Sequence, residues 1–224
     1  RTRCSALVSV GAIHLLIDTS TDLRTQALRH DLDRLDAVLY THAHADHLHG
    51  IDDLRSFTLK QRQPLPCYGD AATVGLIRER YAYMFADPEF RLRWSIPRLE
   101  LHELAGPVDV CGVRVIPVPL LHGRLPICGF RIGRLAYLTD CSEIPMPSWA
   151  LLQDLHTLVI DGLRPQPHAT HFSIGQAVDV VARLRPCQAF LTHLTHDVDH
   201  GAVEATLPPG VHLAYDGLRV TVPL

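Results

Sequence analysis

Short apolar runs alternate with polar loops along the whole chain, and their order predicts a mixture of strands and helices. The apolar alternation within residues 3–10 and 12–18 predicts a strand pair that turns at Gly11. Further strands are predicted at 36–40, 65–69, in two runs within 107–119, and at 127–132, 134–139, 157–161, 187–192, 211–215 and 217–222. Helices are predicted at 21–30, 70–85, 147–154, 173–184 and 201–207, and one more follows the polar, histidine-rich loop after residue 40 and ends at Leu54. Hairpins followed by alternating strands and helices indicate two sheets covered by helices rather than one doubly wound parallel sheet.

The length and composition of the chain favour one folded domain. The 224 residues are 47% hydrophobic and 20% charged, without an internal repeat, a low-complexity tract or a linker. We therefore predict a single domain over residues 1–224. The first strand begins almost at once and without a Met, which is compatible with a missing N-terminal segment.

The charge and the cysteines limit the class of partner. The formal net charge is −3, and the basic residues form no run that could line a phosphate backbone, so a nucleic-acid partner is not expected. No apolar run reaches the length of a membrane span and no signal peptide opens the chain, so we expect no membrane partner. The six cysteines lie far apart without a Cys-x-x-Cys pair, which favours reduced, mostly buried thiols and a cytoplasmic location.

A histidine-rich loop follows the strong strand at residues 36–40 and suggests a metal site. In an extended backbone His42 and His44 project to one side, while Asp46 and His47 fall on the first turn of a following helix. Imidazole and carboxylate groups in this order can bind two neighbouring Zn²⁺ or Mn²⁺ ions. The alternative is a solvated histidine-rich loop in which Asp46 only caps a helix.

Three later residues, His122, Asp140 and His193, each end an apolar strand, where a rigid sheet can aim a ligand. Taken singly, each is more often a polar strand end than a ligand. Together with the His42-x-His44-x-Asp46-His47 motif, their order resembles the metallo-β-lactamase superfamily over nearly the whole chain. The resemblance implies an α/β (α+β) fold, a four-layer αββα sandwich. It also implies one metal bound by His42, His44 and His122, a second bound by Asp46, His47 and His193, and Asp140 bridging the two.

Two finer features are similar to the phosphoribosyl cyclic phosphate phosphodiesterase (PhnP-like) branch of that superfamily. These are the segment from His168 to Ile174 and the ending from Leu191 to His196. The resemblance implies that His171 is the general acid, with His168 as its rival; the alternative is a histidine that makes only a backbone contact. The chain departs from the branch because it has no N-terminal Cys-x-Cys-x-x-Cys cluster for a structural zinc. His196 stands where the late histidine of that zinc belongs, so either the segment is missing or this zinc is not bound.

The function that follows is hydrolysis of a small cyclic or nucleotide-like phosphodiester, with two Zn or Mn ions as cofactors and a metal-bridging hydroxide as the nucleophile. The residues expected to act in catalysis are His171, Asp46 and Asp140. The alternative is a lactone or thioester hydrolase with the same metal hydroxide. A redox di-iron protein of this fold usually carries Glu at the position of His44, and an intact ligand set argues against a non-catalytic binding module.

A cluster of aromatic and arginine residues at positions 81–94 is a candidate for a lid or a homodimer surface near the metals, or simply for packing of a helix. Its members are Tyr81, Tyr83, Phe85, Phe90, Arg91, Arg93 and Trp94. Arg55 is a further candidate for a phosphate contact, and a surface salt bridge explains it equally well.

Overall fold

The computed structural model describes residues 1–86 and 96–223 of the chain. Its strands form two sheets accompanied by helices, so the predicted mixed α/β class is confirmed. The chain divides into two compact units, residues 2–113 and residues 114–224 together with Arg1. The prediction of a single domain over residues 1–224 stays a prediction.

The first unit contains a five-stranded sheet in sequence order. Its strands are β1 (Ala6–Val10), β2 (Ile13–Ile17), β3 (Ala37–Leu39), β4 (Leu65–Gly69) and β5 (Leu99–Glu103), and β6 (Val108–Val110) follows near the end of the unit. β1 and β2 form an antiparallel hairpin, whereas β2 to β5 run parallel to one another. Every residue of β3 is buried, as a continuous apolar run in a central parallel strand predicts. The polar residues after this strand are therefore fixed by a rigid support.

Short helices connect the strands of the first unit. They are α1 (Leu23–Arg29), α2 (Ala45–Leu48), α3 (Arg55–Gln61) and α4 (Ala71–Arg80), with 3₁₀ turns at Ile51–Leu54 and Ala82–Phe85. The Asp70 side chain caps α4 by accepting a hydrogen bond from the Thr73 backbone N–H. Buried Leu48, Leu54 and Ile77 of the helical segments join the strand residues in one hydrophobic core. This core anchors the histidine loop, because Leu48 lies directly after it.

The second unit combines an antiparallel meander with parallel strands. Its strands are β7 (Val113–His122), β8 (Leu125–Ile132), β9 (Leu135–Leu138), β10 (Thr157–Asp161), β11 (Gln188–Thr192) and β12 (Val211–Leu213). β7, β8 and β9 pair antiparallel, and β9 to β12 pair parallel. The carboxyl ends of β9, β10 and β11 therefore meet at one edge of the sheet, which is where parallel sheets bind ligands.

The helices of the second unit are α5 (Met146–Trp149) with a 3₁₀ turn at Ala150–Leu152, α6 (Ile174–Leu184) and α7 (His200–Glu204). A capping box begins α6, because the Ser173 side chain accepts from the Gln176 backbone N–H and the Gln176 side chain accepts from the Ser173 backbone N–H. Ala177 and Val181 of α6 join the core residues of the sheet. The start of this helix, and the segment before it, is thereby held in place.

Most predicted elements are confirmed, and the differences have physical causes. Residues 217–222 alternate like a strand but form none, since among the described residues they pair with neither sheet and are mostly exposed. The sequence prediction missed β5, whose polar residues and single buried position resemble an exposed loop. It also missed α3, which extends the helical segment beyond Leu54 as far as Gln61.

Candidate metal centre

Three Asp and His residues that follow strands lie in the left-handed backbone region. Asp18 (φ 62°) follows β2 in the first unit, and Asp140 (φ 55°) and His193 (φ 60°) follow β9 and β11 in the second. Asp and His adopt this region more readily than most residues, and strained residues of this kind concentrate at functional sites. The backbone conformation at each position therefore sets the direction in which the side chain leaves the strand end.

The histidine loop of the first unit gathers three imidazole rings. The ring centroids of His42 and His44 lie 4.5 Å apart, as do those of His42 and His47. His42 and His47 are buried, whereas His44 is exposed. Asp46 places a carboxylate oxygen 3.7 Å from Nε2 of His47. His42 therefore lies beside both His44 and His47, and Asp46 lies beside His47.

A buried carboxylate orients two of these rings. Asp18 is fully buried and accepts hydrogen bonds from the Thr41 backbone N–H, the Thr41 hydroxyl and Nδ1 of His47, each at 2.8 Å. Because the Thr41 hydroxyl donates its proton to Asp18, its oxygen accepts from Nδ1 of His42 at 3.0 Å. Nδ1 thus carries the proton in both rings, and in the neutral rings Nε2 is the metal-binding nitrogen.

The second unit brings five further side chains together at the edge of its sheet. Ligand atoms of His122, Asp140 and His171 lie within 4.8 Å of one another, and so do those of Asp161, His171 and His193. Nε2 of His193 lies 2.8 Å from Oδ1 of Asp140, and the His171 and His193 rings stack with centroids 5.1 Å apart. The strand-end residues predicted from the sequence therefore lie close together in this unit.

Hydrogen bonds also fix the tautomers of two histidines in the second unit. Nδ1 of His122 lies 2.7 Å from the Thr170 carbonyl oxygen, which can only accept, so Nδ1 carries the proton. Nδ1 of His171 lies 2.8 Å from the fully buried carboxylate of Asp161. In both neutral rings Nε2 is then the nitrogen that can bind a metal or exchange a proton.

The donor set fits divalent ions such as Zn²⁺ and Mn²⁺, which bind imidazole nitrogen and carboxylate oxygen. Each unit holds its part of the predicted set with hydrogen bonds that orient the ligands, as natural metal sites do. The combination of ligands from both units on each ion, and the bridging role of Asp140, remain predictions.

The other predicted residues lie in less organised surroundings. The His168 ring lies 5.1 Å from that of His171, and its pKa is lowered by burial and by the nearby charges of His171 and Arg164. His196 is exposed and contacts Asp197 at 3.0 Å; within residues 1–86 and 96–223 it joins no cluster of metal-binding side chains. Its structural-metal role therefore stays a prediction.

The structure describes only some of the arginine and aromatic residues that the sequence suggested as candidates. Arg55 lies 3.7 Å from Asp52 on the surface, which favours the salt-bridge interpretation. Tyr81, Tyr83 and Phe85 are described. The rest of the aromatic stretch lies outside the described residues, namely Phe90, Arg91, Arg93 and Trp94.

The thiol and membrane predictions are tested in part. The six cysteines, all within the described residues, form no disulfide with one another. Only Cys67, Cys128 and Cys141 are buried, so the expectation of mostly buried thiols is only half right. In the described part of the chain, no helix is long and apolar enough to cross a membrane.

The fold and the histidine–aspartate clusters define a metal-binding protein of the metallo-β-lactamase fold. A family model described as "Beta-lactamase superfamily domain" matches residues 14–194, and the chain belongs to this superfamily. A crystal structure described as "a New Diphosphatase from the PhnP Family" is 36% identical, with a TM-score of 0.91 over 100% of this chain and 86% of that chain. Within the superfamily, the chain is therefore a member of the PhnP family.

Two further comparisons add context. The chain is 38% identical to an octanoyltransferase of Porphyromonas gingivalis over 99% of its own length, but it covers only 45% of that protein. The short form of human tRNase Z is 19% identical, with a TM-score of 0.78 over 100% of this chain and 94% of that chain, which shows a shared fold. The chain thus spans less than half the length of this curated relative.

Sequence reasoning missed Asp18, Thr41 and Asp161, although one signal was available. Asp18 and Asp161 stand at the end of apolar strands, as Asp140 does. Unlike Asp140, which is a proposed metal ligand, Asp18 and Asp161 each accept a hydrogen bond from Nδ1 of a histidine. The sequence does not show this role, because it depends on which side chains the fold places beside each carboxylate.

Proposed function

We propose that the protein is a metal-dependent phosphodiesterase acting on a small phosphodiester. Membership of the PhnP family and the hydrolase name of its 36% identical relative support hydrolysis. The observation that carries the proposal is the pairing of His171 with Asp161 beside metal-binding side chains. A metal centre alone suits many hydrolases, but an oriented imidazole at its edge suits a reaction that needs a proton donor.

The proposed ligands are His42, His44 and His122 for one ion, Asp46, His47 and His193 for the other, and Asp140 shared by both. Two divalent ions, Zn or Mn, would when bound activate water as a nucleophile near neutral pH and neutralise charge on the phosphate. The buried carboxylates behind the histidines hold the rings in the tautomer that this binding requires. Loss of the shared carboxylate should therefore cost more activity than loss of one terminal histidine.

His171 is proposed to protonate the leaving oxygen. A water molecule first loses a proton to solvent, and the resulting hydroxide oxygen forms a bond to phosphorus. The bond from phosphorus to the leaving oxygen breaks, and that oxygen takes the proton from Nε2 of the protonated His171 ring. The Asp161 carboxylate stabilises the protonated ring through Nδ1. Burial and the nearby charges of His171 and Arg164 lower the pKa of His168, which disfavours the protonated form that a general acid needs.

The test compares two diesters that differ in the basicity of their leaving groups. Metal-loaded wild type, His171→Ala and His168→Ala are assayed with bis(p-nitrophenyl) phosphate and with adenosine 2′,3′-cyclic phosphate. The sugar oxygen leaves as a strong base and needs a proton, so His171→Ala should lower kcat for the cyclic phosphate by about 10²–10⁴-fold. The loss with the p-nitrophenyl ester should be much smaller, and His168→Ala should leave both rates within a few-fold of wild type.

Equal losses with both diesters would remove His171 from the acid role. No hydrolysis of either diester by metal-loaded wild type would refute the phosphodiesterase itself. A thioester and a lactone are assayed alongside, because the octanoyltransferase name of one relative makes acyl substrates the second candidate. We keep a cytoplasmic location as part of the proposal, on the basis of the widely spaced cysteines, which form no disulfide with one another in the described residues.

A further inference from the structure

An open cleft of about 590 Å³ lies in the first unit beside the histidine loop. It is lined by Ala43, His44, Ala45, His49, Arg80 and Tyr81. Its volume lies in the range typical of small-molecule sites, roughly 300–1,000 Å³. Only His44 among these residues belongs to the proposed metal ligands, so the proposed metal site does not account for the other five lining residues.

A guanidinium group is fixed in this cleft. Nη1 of Arg80, at the end of α4, donates a hydrogen bond to the carbonyl oxygen of Ala43, one residue before His44. The bond therefore ties the charge to the backbone that carries a proposed metal ligand. With the other residues of 1–86 and 96–223, the guanidinium makes no further hydrogen bond or ion pair. Its other N–H donors suit bidentate binding of a phosphate.

The remaining lining residues are two alanines and two rings, and none of them carries a negative charge. The rings of Tyr81 and His49 meet edge to face with centroids 6.3 Å apart. Burial raises the pKa of Tyr81, so its hydroxyl stays neutral at physiological pH. No carboxylate lines the described part of the cleft. A fixed positive charge beside neutral rings matches a ligand that combines a phosphate with an organic ring.

We propose that this cleft binds a second phosphate of the substrate, so that the preferred substrates are diphosphates of nucleoside-like compounds. Arg80 binds the phosphate that does not react, and Tyr81 contacts the organic part. The inference rests on the proposed function, because it treats His44 as a ligand of the metal that binds the reacting phosphate. It makes Arg80 a specificity-determining residue whose effect depends on the number of phosphates in the ligand.

The test measures binding of ADP and AMP by calorimetry to metal-loaded wild type, Arg80→Ala, Arg80→Lys and Arg78→Ala. Arg78 is the matched control, since it lies on the same helix with its guanidinium over the Phe85 ring, 5.8 Å from the centroid, and does not line the cleft. Wild type should bind ADP more tightly than AMP. Arg80→Ala should weaken ADP binding by about tenfold or more, the usual cost of losing a hydrogen bond to a charged group, and should affect AMP far less.

Arg80→Lys keeps the charge but not the bidentate geometry, so its ADP affinity should fall between wild type and Arg80→Ala. Arg78→Ala should bind both nucleotides as wild type does. An ADP-to-AMP affinity ratio that is unchanged in Arg80→Ala would overturn the proposal. Far-ultraviolet circular dichroism of each variant checks folding, and Arg80→Lys keeps the test valid if Arg80→Ala does not fold.

Failure of the cleft and failure of the phosphodiesterase give different results. Arg80-dependent discrimination between ADP and AMP, in a protein that hydrolyses no diester, would refute the proposed reaction alone. Diester hydrolysis by a protein whose nucleotide binding ignores Arg80 would refute the cleft alone.

Discussion

Replacement of Asp18 by Asn tests how much the buried carboxylate contributes to metal binding. One oxygen of Asp18 accepts from the Thr41 backbone N–H, and the other accepts both from the Thr41 hydroxyl and from Nδ1 of His47. An amide oxygen can replace the first acceptor, but the amide nitrogen is a donor and cannot accept from His47. The substitution keeps the size of the side chain, and Asn tolerates the left-handed backbone at φ 62°.

The expected losses of stability and of metal affinity follow from the hydrogen bonds that the substitution removes. A hydrogen bond to a charged group contributes about 1.5–3 kcal/mol to stability, so Asp18→Asn should lower the free energy of unfolding of the apoprotein by about that amount. His47 can recover a partner only by accepting at Nδ1, which moves its proton to Nε2 and blocks the metal-binding nitrogen. Loss of such an orienting partner typically lowers metal affinity by about 10–100-fold.

The assay is competition for Zn²⁺ with a chromophoric chelator, combined with urea unfolding of the apoprotein and ¹⁵N chemical shifts of the His47 ring. Asp33→Asn is the control, because Asp33 is an exposed carboxylate that pairs with Lys60 on the surface. Asp18→Ala is avoided because it adds a backbone penalty of about 1–2 kcal/mol in the left-handed region. Zinc affinity within twofold of wild type, with unchanged ring shifts, would refute the orienting role.

The remaining predictions concern packing and thiol reactivity. A Cβ at Gly50 would lie 2.1 Å from the Ser20 carbonyl oxygen, so Gly50→Ala should lower the free energy of unfolding by about 1–3 kcal/mol in urea titrations. Gly75 faces open space in α4, so Gly75→Ala should raise it by roughly 0.5–1 kcal/mol; the opposite sign for either variant would contradict the packing described here. Exposed Cys187 should react with iodoacetamide in the native protein, whereas Cys141, whose pKa is raised by complete burial, should react only after unfolding, as mass spectrometry of the labelled peptides would show.

The sequence predicted the strand ends because a strand end is a local property. Apolar runs that stop at His122, Asp140 and His193 can be identified without knowing which strands are neighbours, and parallel pairing of β9, β10 and β11 then brings their ends to one edge. The two sheets and most helices followed from the same runs. The strand at 217–222 failed because alternation favours a strand only where another strand offers hydrogen bonds.

Contacts that join distant segments could not be predicted in this way. Asp18 meets His47 across 29 positions and Arg80 meets the backbone of Ala43 across 37. Neither pairing follows from spacing or periodicity, because each depends on how a loop and a helix return to the same sheet. The proposed ligands could therefore be selected from the sequence, whereas the residues that orient them could not.

The left-handed backbone at Asp18, Asp140 and His193 affects how sequences of relatives should be compared. In this conformation β-branched and most other side chains are strained, while Asp, Asn, His and Gly are tolerated. In a relative that has lost its metal but kept these turns, the three positions would still be restricted to the same few residue types. Identity at such positions consequently records the shape of the turn as much as the ion. His42 and His122, two of the proposed ligands, do not lie in this backbone region and would be the better markers of a retained metal centre.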